Sequence, residues 1–396
     1  MTADDAITIK VVSSASDVGK TAWDNLANAG SNFTLEYPYN PFLSYDFYNS
    51  LESSGSADRH SGWLAQHLVM EQAGEVTGLL PCYLKNHSQG EYVFDHGWAD
   101  AFERAGGNYY PKLQAAVPFT PASGRRLLVG NGPDTKRRKL MLAGGLQQVC
   151  EQLEVSSAHI TFMEEEEWTL LGQQGYLRRN DQQFHWLNDN FSDFDDFLGR
   201  LSSRKRKNIR KERSAALVGN DITIEWLSGD QLTEEVWNTF YQFYMDTGSR
   251  KWGQPYLTRS FYSQIGETMA KDIVLIMAKR AGRYVAGAIN FVGSHTLYGR
   301  HWGCIEDHPF LHFEICYYQA IDYAIQHGLA RVEAGAQGSH KLARGYMPQI
   351  TYSAHFITHV DFRRAVEDYL EREREAVAME NEAIARHGPF KKGNTP

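Results

Sequence analysis

The sequence predicts an α/β fold of two similar units, each a twisted mixed sheet flanked by helices. Three observations carry this expectation. Strand-length apolar runs alternate with amphipathic helical stretches along the chain. A hairpin signal recurs once in each half, as Ala73-Gly74-Glu75-Val76-Thr77-Gly78 and as Ala281-Gly282-Arg283-Tyr284-Val285-Ala286-Gly287. The length of 396 residues exceeds one small module and suits two or three ordinary domains.

In order, residues 1–12 predict a lead-in strand (Ile7, Ile9, Val11), and helices are expected near 17–29 and 42–52, the second opening at Pro41. Trp63 to Met70 and Val76 to Leu84 flank Gln72-Ala73-Gly74-Glu75 as a hairpin, and Tyr92 to Phe94 predicts a further short strand. Helices near 98–105 and 135–153 alternate with strands near 113–118, 126–129, 158–163 and 176–187. The second half repeats the theme, with strands at 272–279, 284–292 and 296–302 and a helix over 311–327 that stops at Gly328. Residues 361–386, with the mixed charges Glu371-Arg372-Glu373-Arg374-Glu375, predict a solvated helix, followed by a tail. The expected divisions are 1–190, 191–360 and 361–396.

Composition narrows the function. Hydrophobic residues make up 42% and charged residues 22%, with 20 Phe, 21 Tyr and 9 Trp, which excludes a disordered or fibrous chain. A net charge of −8 argues against whole-surface attraction to DNA or to an anionic membrane. The longest apolar runs, such as Ile273 to Ala278, are far below the roughly 20 residues that span a bilayer, so no membrane span is expected. The cysteines (Cys82, Cys150, Cys304, Cys316) lie far apart with no leader ahead of them, which reads as free thiols in the cytoplasm.

One local exception to the acidic balance stands between the halves. Arg200 to Arg213 carries eight basic residues against one acid, Glu212, on a helix that Ser192 and Asp195 are expected to cap as a box. Phe194, Phe197, Leu198, Leu201 and Ile209 supply its buried side, while Arg204, Lys207 and Lys211 align as a stripe able to track phosphates. The alternative is a solvated basic helix.

The densest polar cluster runs from Glu333 to Tyr346, where a strand should end. Gly335 and Gly338 let backbone amides approach an anion, His340 offers a proton carrier, and Lys341 and Arg344 offer cations. A glycine-rich solvated turn is the competing reading. Upstream, Tyr298, Arg300 and Trp302 stand on an expected strand and Glu314 on the first turns of a helix, as a base or as a favourable dipole contact. His308 and His312 invite a metal site, but Pro309 starts a helix between them, and no metal is expected. In the first half, Asp95, Trp98, Asp100, Tyr109, Tyr110 and Lys112 combine carboxylates with aromatics beside loops, either as an acceptor cleft or as packing and caps. No G-x-S-x-G elbow, Walker motif or well-placed G-x-G-x-x-G occurs.

Together these segments, with Asn40-Pro41-Phe42-Leu43-Ser44 and Val117-Pro118-Phe119-Thr120-Pro121, resemble the FemAB-like predicted N-acyltransferases, described as peptidoglycan biosynthesis or recognition proteins, within the GNAT-fold superfamily. The resemblance spans most of 35–360. It implies two tandem GNAT-like (acyl-CoA N-acyltransferase-like) units that move an acyl or aminoacyl group to a small-molecule or peptide amine by direct attack, with the cleft between the units or at the strand ends of the second. The donor-binding signature Q/R-x-x-G-x-G/A is missing, since Cys304 to Phe310 reads Cys-Ile-Glu-Asp-His-Pro-Phe. No tightly bound cofactor is expected; the donor is acyl-CoA or aminoacyl-tRNA. Under this reading Glu314, Glu333 or His340 takes the amine proton, Tyr298 or the glycine amides hold the oxyanion, and Lys341, Arg344 and the basic stripe hold donor phosphates. A non-catalytic RNA-binding module using the basic helix, and a metal-dependent hydrolase using His308 and His312, are the competing functions.

Overall fold

The computed structural model describes residues 6–28, 37–251, 255–335 and 338–391. The chain opens with β1 (Ile7–Val12), α1 (Lys20–Ala27) and α2 (Tyr45–Ser53), then β2 (Trp63–Ala65), β3 (His67–Gln72), β4 (Glu75–Leu80) and β5 (Tyr83–Lys85). Next come α3 (His96–Arg104), β6 (Lys112–Ala115), β7 (Leu128–Val129), α4 (Thr135–Gln152), β8 (Ser157–Met163), α5 (Glu165–Gly172) and β9 (Leu177–Leu187). Helices α6 (Phe194–Arg200) and α7 (Ser203–Leu217) lead to β10 (Ile222–Leu227), α8 (Glu234–Lys251) and α9 (Arg259–Thr268). Strands β11 (Ile273–Arg280), β12 (Arg283–Val292) and β13 (Thr296–Cys304) precede α10 (Leu311–Phe313), which runs through a π turn at Glu314–Tyr318 into α11 (Gln319–Gln326). The chain finishes with β14 (Arg331–Glu333), a 3-10 turn at Ser339–Arg344, β15 (Met347–Ile357) and α12 (Val360–Arg386).

Two compact units result. Among the described residues the first takes those of Met1–Phe33, Phe42–Gln182 and Ile350–Glu380, and the second those of Thr34–Pro41, Gln183–Gln349 and Asn381–Pro396. In the first, β1-β3-β4-β7 form an antiparallel sheet, and β15-β8-β6-β5-β2 another with one parallel pair, β6 with β8. In the second the order is β10-β11-β12-β13-β14-β9, antiparallel except for β13 with β14. The β3–β4 and β11–β12 hairpins turn on the same pair: Ala73 and Gly74 have φ of 52° and 80°, Ala281 and Gly282 of 48° and 76°. Positive φ at both central residues is the pattern of a type I′ turn, which matches strand twist.

The division departs from the expected one. The chain leaves the first unit within β9 and returns within β15, and α12 packs in the first unit rather than standing apart as a solvated helix. Phe362, Val366 and Leu370, four residues apart, form an apolar stripe against Trp98, Tyr109 and Ile357 that the surrounding charges disguise. The tail is attached as well: Ser202 N donates to the Pro389 carbonyl, and Leu201 pairs with Phe390. Tyr92 to Phe94 forms no strand, because Tyr92 takes a left-handed φ of 60°. The basic helix is two helices, broken where Leu201 is extended (φ −77°, ψ 153°), and its cap is Asp193, which accepts from Asp196 N at 2.8 Å, in place of Ser192.

Gly303 sets how closely α8 approaches the second sheet. A Cβ there would land on the Phe243 carbonyl, which is backbone and has no rotamer to yield. Gly303→Ala is therefore expected to destabilise by about 2–3 kcal/mol through overpacking, read as a lower midpoint in urea unfolding.

Candidate active site

In the second unit β13 and β14 run parallel for three pairs, Thr296 with Arg331, Leu297 with Val332 and Tyr298 with Glu333; there β14 ends while β13 continues to Cys304. Just past this point β13 bulges. Ala288 pairs Trp302 and Asn290 pairs Gly299, two steps on β12 against three on β13. A bulge at the end of a ladder re-aims side chains. The opening is a cavity of about 80 Å³ walled by Asn290, Arg300, His301, Trp302, His312, Cys316, Tyr317 and Ala334. Arg300 and Trp302 were expected at a substrate site; Asn290, Cys316 and Tyr317 were not singled out in sequence.

Lys341, which is not on the cavity wall, is 2% exposed, with Nζ donating to the Gly335 carbonyl at 2.8 Å. Burial pulls its ammonium down to about 7; Cys316 opposes this and Arg300 adds to it, and both of those residues are on the cavity wall. Its neighbour His340 is exposed and shares a hydrogen bond with the Tyr317 hydroxyl at 2.8 Å, and burial followed by Arg344 and Lys341 lowers its pKa. Gly335 and Gly338 have positive φ of 81° and 123°; Ala336 and Gln337, between these two expected amide donors, lie outside the described residues.

Other expected site residues are committed elsewhere. Glu314, fully buried on the π turn, accepts from Arg213 Nη2 at 2.9 Å and Nε at 3.1 Å, and from Gln319 Nε2 at 2.7 Å. Burial raises its pKa despite Arg213. Its oxygens serve α7 rather than an amine, which corrects its expected part as a base. Arg344 donates to Glu212 at 2.9 Å and to the His340 carbonyl at 2.8 Å, with its guanidinium 3.5 Å from the Phe313 ring centre; that leaves it a structural cation rather than a phosphate ligand. Tyr298 is buried beside Glu333, and burial with that carboxylate raises its phenol, so it stays protonated as a donor. Glu333, 3% exposed, pairs with Arg331 at 3.4 Å. Arg204, Lys207 and Lys211 are exposed on α7 opposite buried Ile209 and Ala216, and carry no ion pair among the described residues. His308 is held by Glu306 at 3.0 Å and Asn220 at 3.2 Å, and His312 stacks edgewise on Trp302. Among the described residues no group of three or more His, Cys, Asp or Glu is arranged to hold a metal ion.

In the first unit most of the expected acceptor cleft closes on itself, and of its residues Trp98 lines a cavity, of about 750 Å³. Lys112 is fully buried and donates to Ser88 at 2.8 Å, Glu91 at 2.7 Å and Asp95, while the Tyr109 hydroxyl donates to Asp95 at 2.6 Å. Burial opposes both charges of the Lys112–Asp95 pair, but their attraction prevails, raising Lys112 and lowering Asp95. Burial pushes Glu91 up to about 7. Behind them His159 and His355 share an Nδ1–Nδ1 hydrogen bond of 2.7 Å, and Trp98 stacks edgewise on His355. Tyr110 is half-buried against Ser88, and Asp100 is exposed on α3. Packing turns these polar atoms inward onto Lys112, with Lys85 3.9 Å from Glu91, while Glu91 Oε1 and Asp95 Oδ1 find no hydrogen-bond partner among the described residues. Lys112→Met leaves buried Asp95 without its lysine and Glu91 with only Lys85 at 3.9 Å, and is expected to cost about 3–5 kcal/mol, visible as loss of the folded first unit in thermal unfolding.

Residues 14–392 match the family model described as peptidoglycan biosynthesis/recognition. The chain belongs to the FemAB-like family. Among curated protein sequences none matches it. The FemAB-like chain is similar to the crystal structure of FemX, at 13% identity and a TM-score of 0.53 over 88% of this chain and 98% of that one. It is also similar to the C-terminal domain of a putative lysylphosphatidylglycerol synthetase from Agrobacterium fabrum (9% identity, TM-score 0.53, 90% and 96% covered). L-PGS from Bacillus licheniformis follows (11% identity, TM-score 0.50, 84% and 98% covered). At these identities the likeness speaks for fold alone, and the fold is α/β with mixed sheets. No described helix of this FemAB-like chain is long and apolar enough to cross a membrane.

Proposed function

We propose that this FemAB-like protein is an N-acyltransferase that passes an acyl or aminoacyl group from a phosphate-bearing activated donor to an amine by direct attack. The observation that carries this reading is the end of β14 at Glu333 beside the continuing, bulged β13, with a cavity at the bulge whose wall residues Arg300 and Cys316 act electrostatically on Lys341. The donor carbonyl sits at the bulge. The acceptor nitrogen attacks the carbonyl carbon, and neutral Lys341 takes the amine proton. On collapse the carbon–oxygen or carbon–sulfur bond to the donor breaks, and the Lys341 ammonium returns the proton to the leaving group. Arg204, Lys207 and Lys211 bind donor phosphates, from RNA or from CoA. The family description favours a peptide amine of cell-wall type as acceptor, and four free thiols suit a reducing cytoplasm.

The exposed stripe on α7 also supports a second reading, a non-catalytic RNA-binding module. Incubation with a panel of acyl-CoAs and charged tRNAs plus amine acceptors, followed by mass spectrometry, separates the two. Acyl transfer is expected; RNA binding without consumption of any donor would replace the first reading with the second.

A further inference from the structure

The run of basic residues from Arg200 to Arg213 is broken by one acid, Glu212, and neither Glu212 nor Arg213 belongs to the outward stripe. Ile209, Glu212, Arg213 and Ala216 share the inner side of α7 by helical spacing. There Glu212 Oε2 accepts from Arg344 Nη2 at 2.9 Å and from the Tyr318 hydroxyl. Arg213 meets Glu314 at 2.9 Å and Asp322 at 2.7 Å, with its guanidinium 4.3 Å from the Phe194 ring centre. Arg344 continues the connection to the His340 carbonyl. The phosphate stripe and the turn that carries Lys341 are therefore joined through Glu212 and Arg344, and Arg213 fastens the same helix to the π turn and α11.

Resting on the donor reading above, we propose that Glu212 is a positioning residue. It fixes α7 at a set place against the Lys341 turn, so that a donor gripped by its phosphates on Arg204, Lys207 and Lys211 presents its carbonyl where β13 runs on past the end of β14. Charge-assisted hydrogen bonds between nearly buried partners are the strong kind. Arg344 is 6% exposed, so losing its carboxylate leaves its charge without a counterion and loosens the turn.

The test is Glu212→Gln in the full-length chain, a substitution that keeps shape and acceptor oxygen but removes charge. Hydrogen exchange of amides 339–346 is expected to quicken about tenfold while those of β11 and β12 are unchanged. The KM for acyl-CoA or charged tRNA is expected to rise about tenfold with kcat within about twofold. For the matching S-acyl-pantetheine or 3′-aminoacyl-adenosine, which lack the distal phosphates, KM stays as in the wild type. Glu212→Asp restores donor KM to within about threefold of wild type and serves as the second variant if the glutamine form folds poorly. Unchanged exchange at 339–346, or a loss of kcat at constant KM, overturns the proposal. If the wild type consumes no donor at all, the transferase reading falls by that result alone, and the exchange measurement still decides whether Glu212 holds the turn.

Discussion

Lys341→Met is expected to lower kcat by about 10²–10⁴-fold while the protein remains folded, because the neutral amine of Lys341 is the proton acceptor and methionine fills its space without accepting. A lysine pulled down to about 7 is largely neutral above that value. The wild-type rate should therefore climb from pH 6 to pH 8 with an inflection near 7, and the residual rate of the variant should lack that inflection. Stability gives an independent check of the same shift. Between about 7 and the ordinary lysine value near 10.5 the unfolded chain binds more protons than the native one, so stability rises with pH across that window. Below it the cost of the buried charge is present in full. Lys341→Met should therefore raise the thermal midpoint most at pH 6, with the gain shrinking as pH approaches 10. A midpoint difference independent of pH would contradict the burial of a titrating amine there.

Neutralising Arg204, Lys207 and Lys211 together is the second large effect. Each phosphate contact releases condensed counterions, so removing three should flatten the slope of log affinity against log salt for single-stranded RNA by about 2. Near-physiological salt should show affinity falling by about two orders of magnitude, since each such contact weakens binding without regard to base sequence. Fluorescence anisotropy with a labelled single-stranded oligoribonucleotide reads both quantities. Wild-type affinity and slope in the triple variant would place the nucleic-acid or CoA phosphates elsewhere.

Much of this architecture was legible in the residues. The two Ala-Gly turns appear as two hairpins because the pair takes the same positive φ values in both units. The stripe on α7 is exposed as spacing foretold, since one helical face cannot bury that many cations. The helix from Leu311 ends where Gly328 takes a left-handed φ of 63°. What escaped was the direction in which polar side chains point. Lys341 reads as a phosphate ligand within a glycine-flanked polar run, but it is folded inward onto the Gly335 carbonyl, a burial that no local pattern announces. Asp95, Tyr109 and Lys112 look like the wall of a cleft, and tertiary packing turns them inward onto one another as a buried cluster. Glu314 looks like a base until Arg213, 101 residues away in the chain, is seen to hold it. A usable signal was present for this last connection: a single acid in a strongly basic helix marks the face that turns inward.

The central claim is that the electrophilic carbonyl rests where bulged β13 runs on past the end of β14. The most direct measurement is photocrosslinking with a non-hydrolysable donor analogue that carries a diazirine on its acyl chain, followed by peptide mapping. Label on Gly299 to Trp302 and on Cys316 or Tyr317, lost when unmodified donor competes, is the predicted result. Competable label confined to α3 and the start of α12 in the first unit, with none on β13, would contradict it.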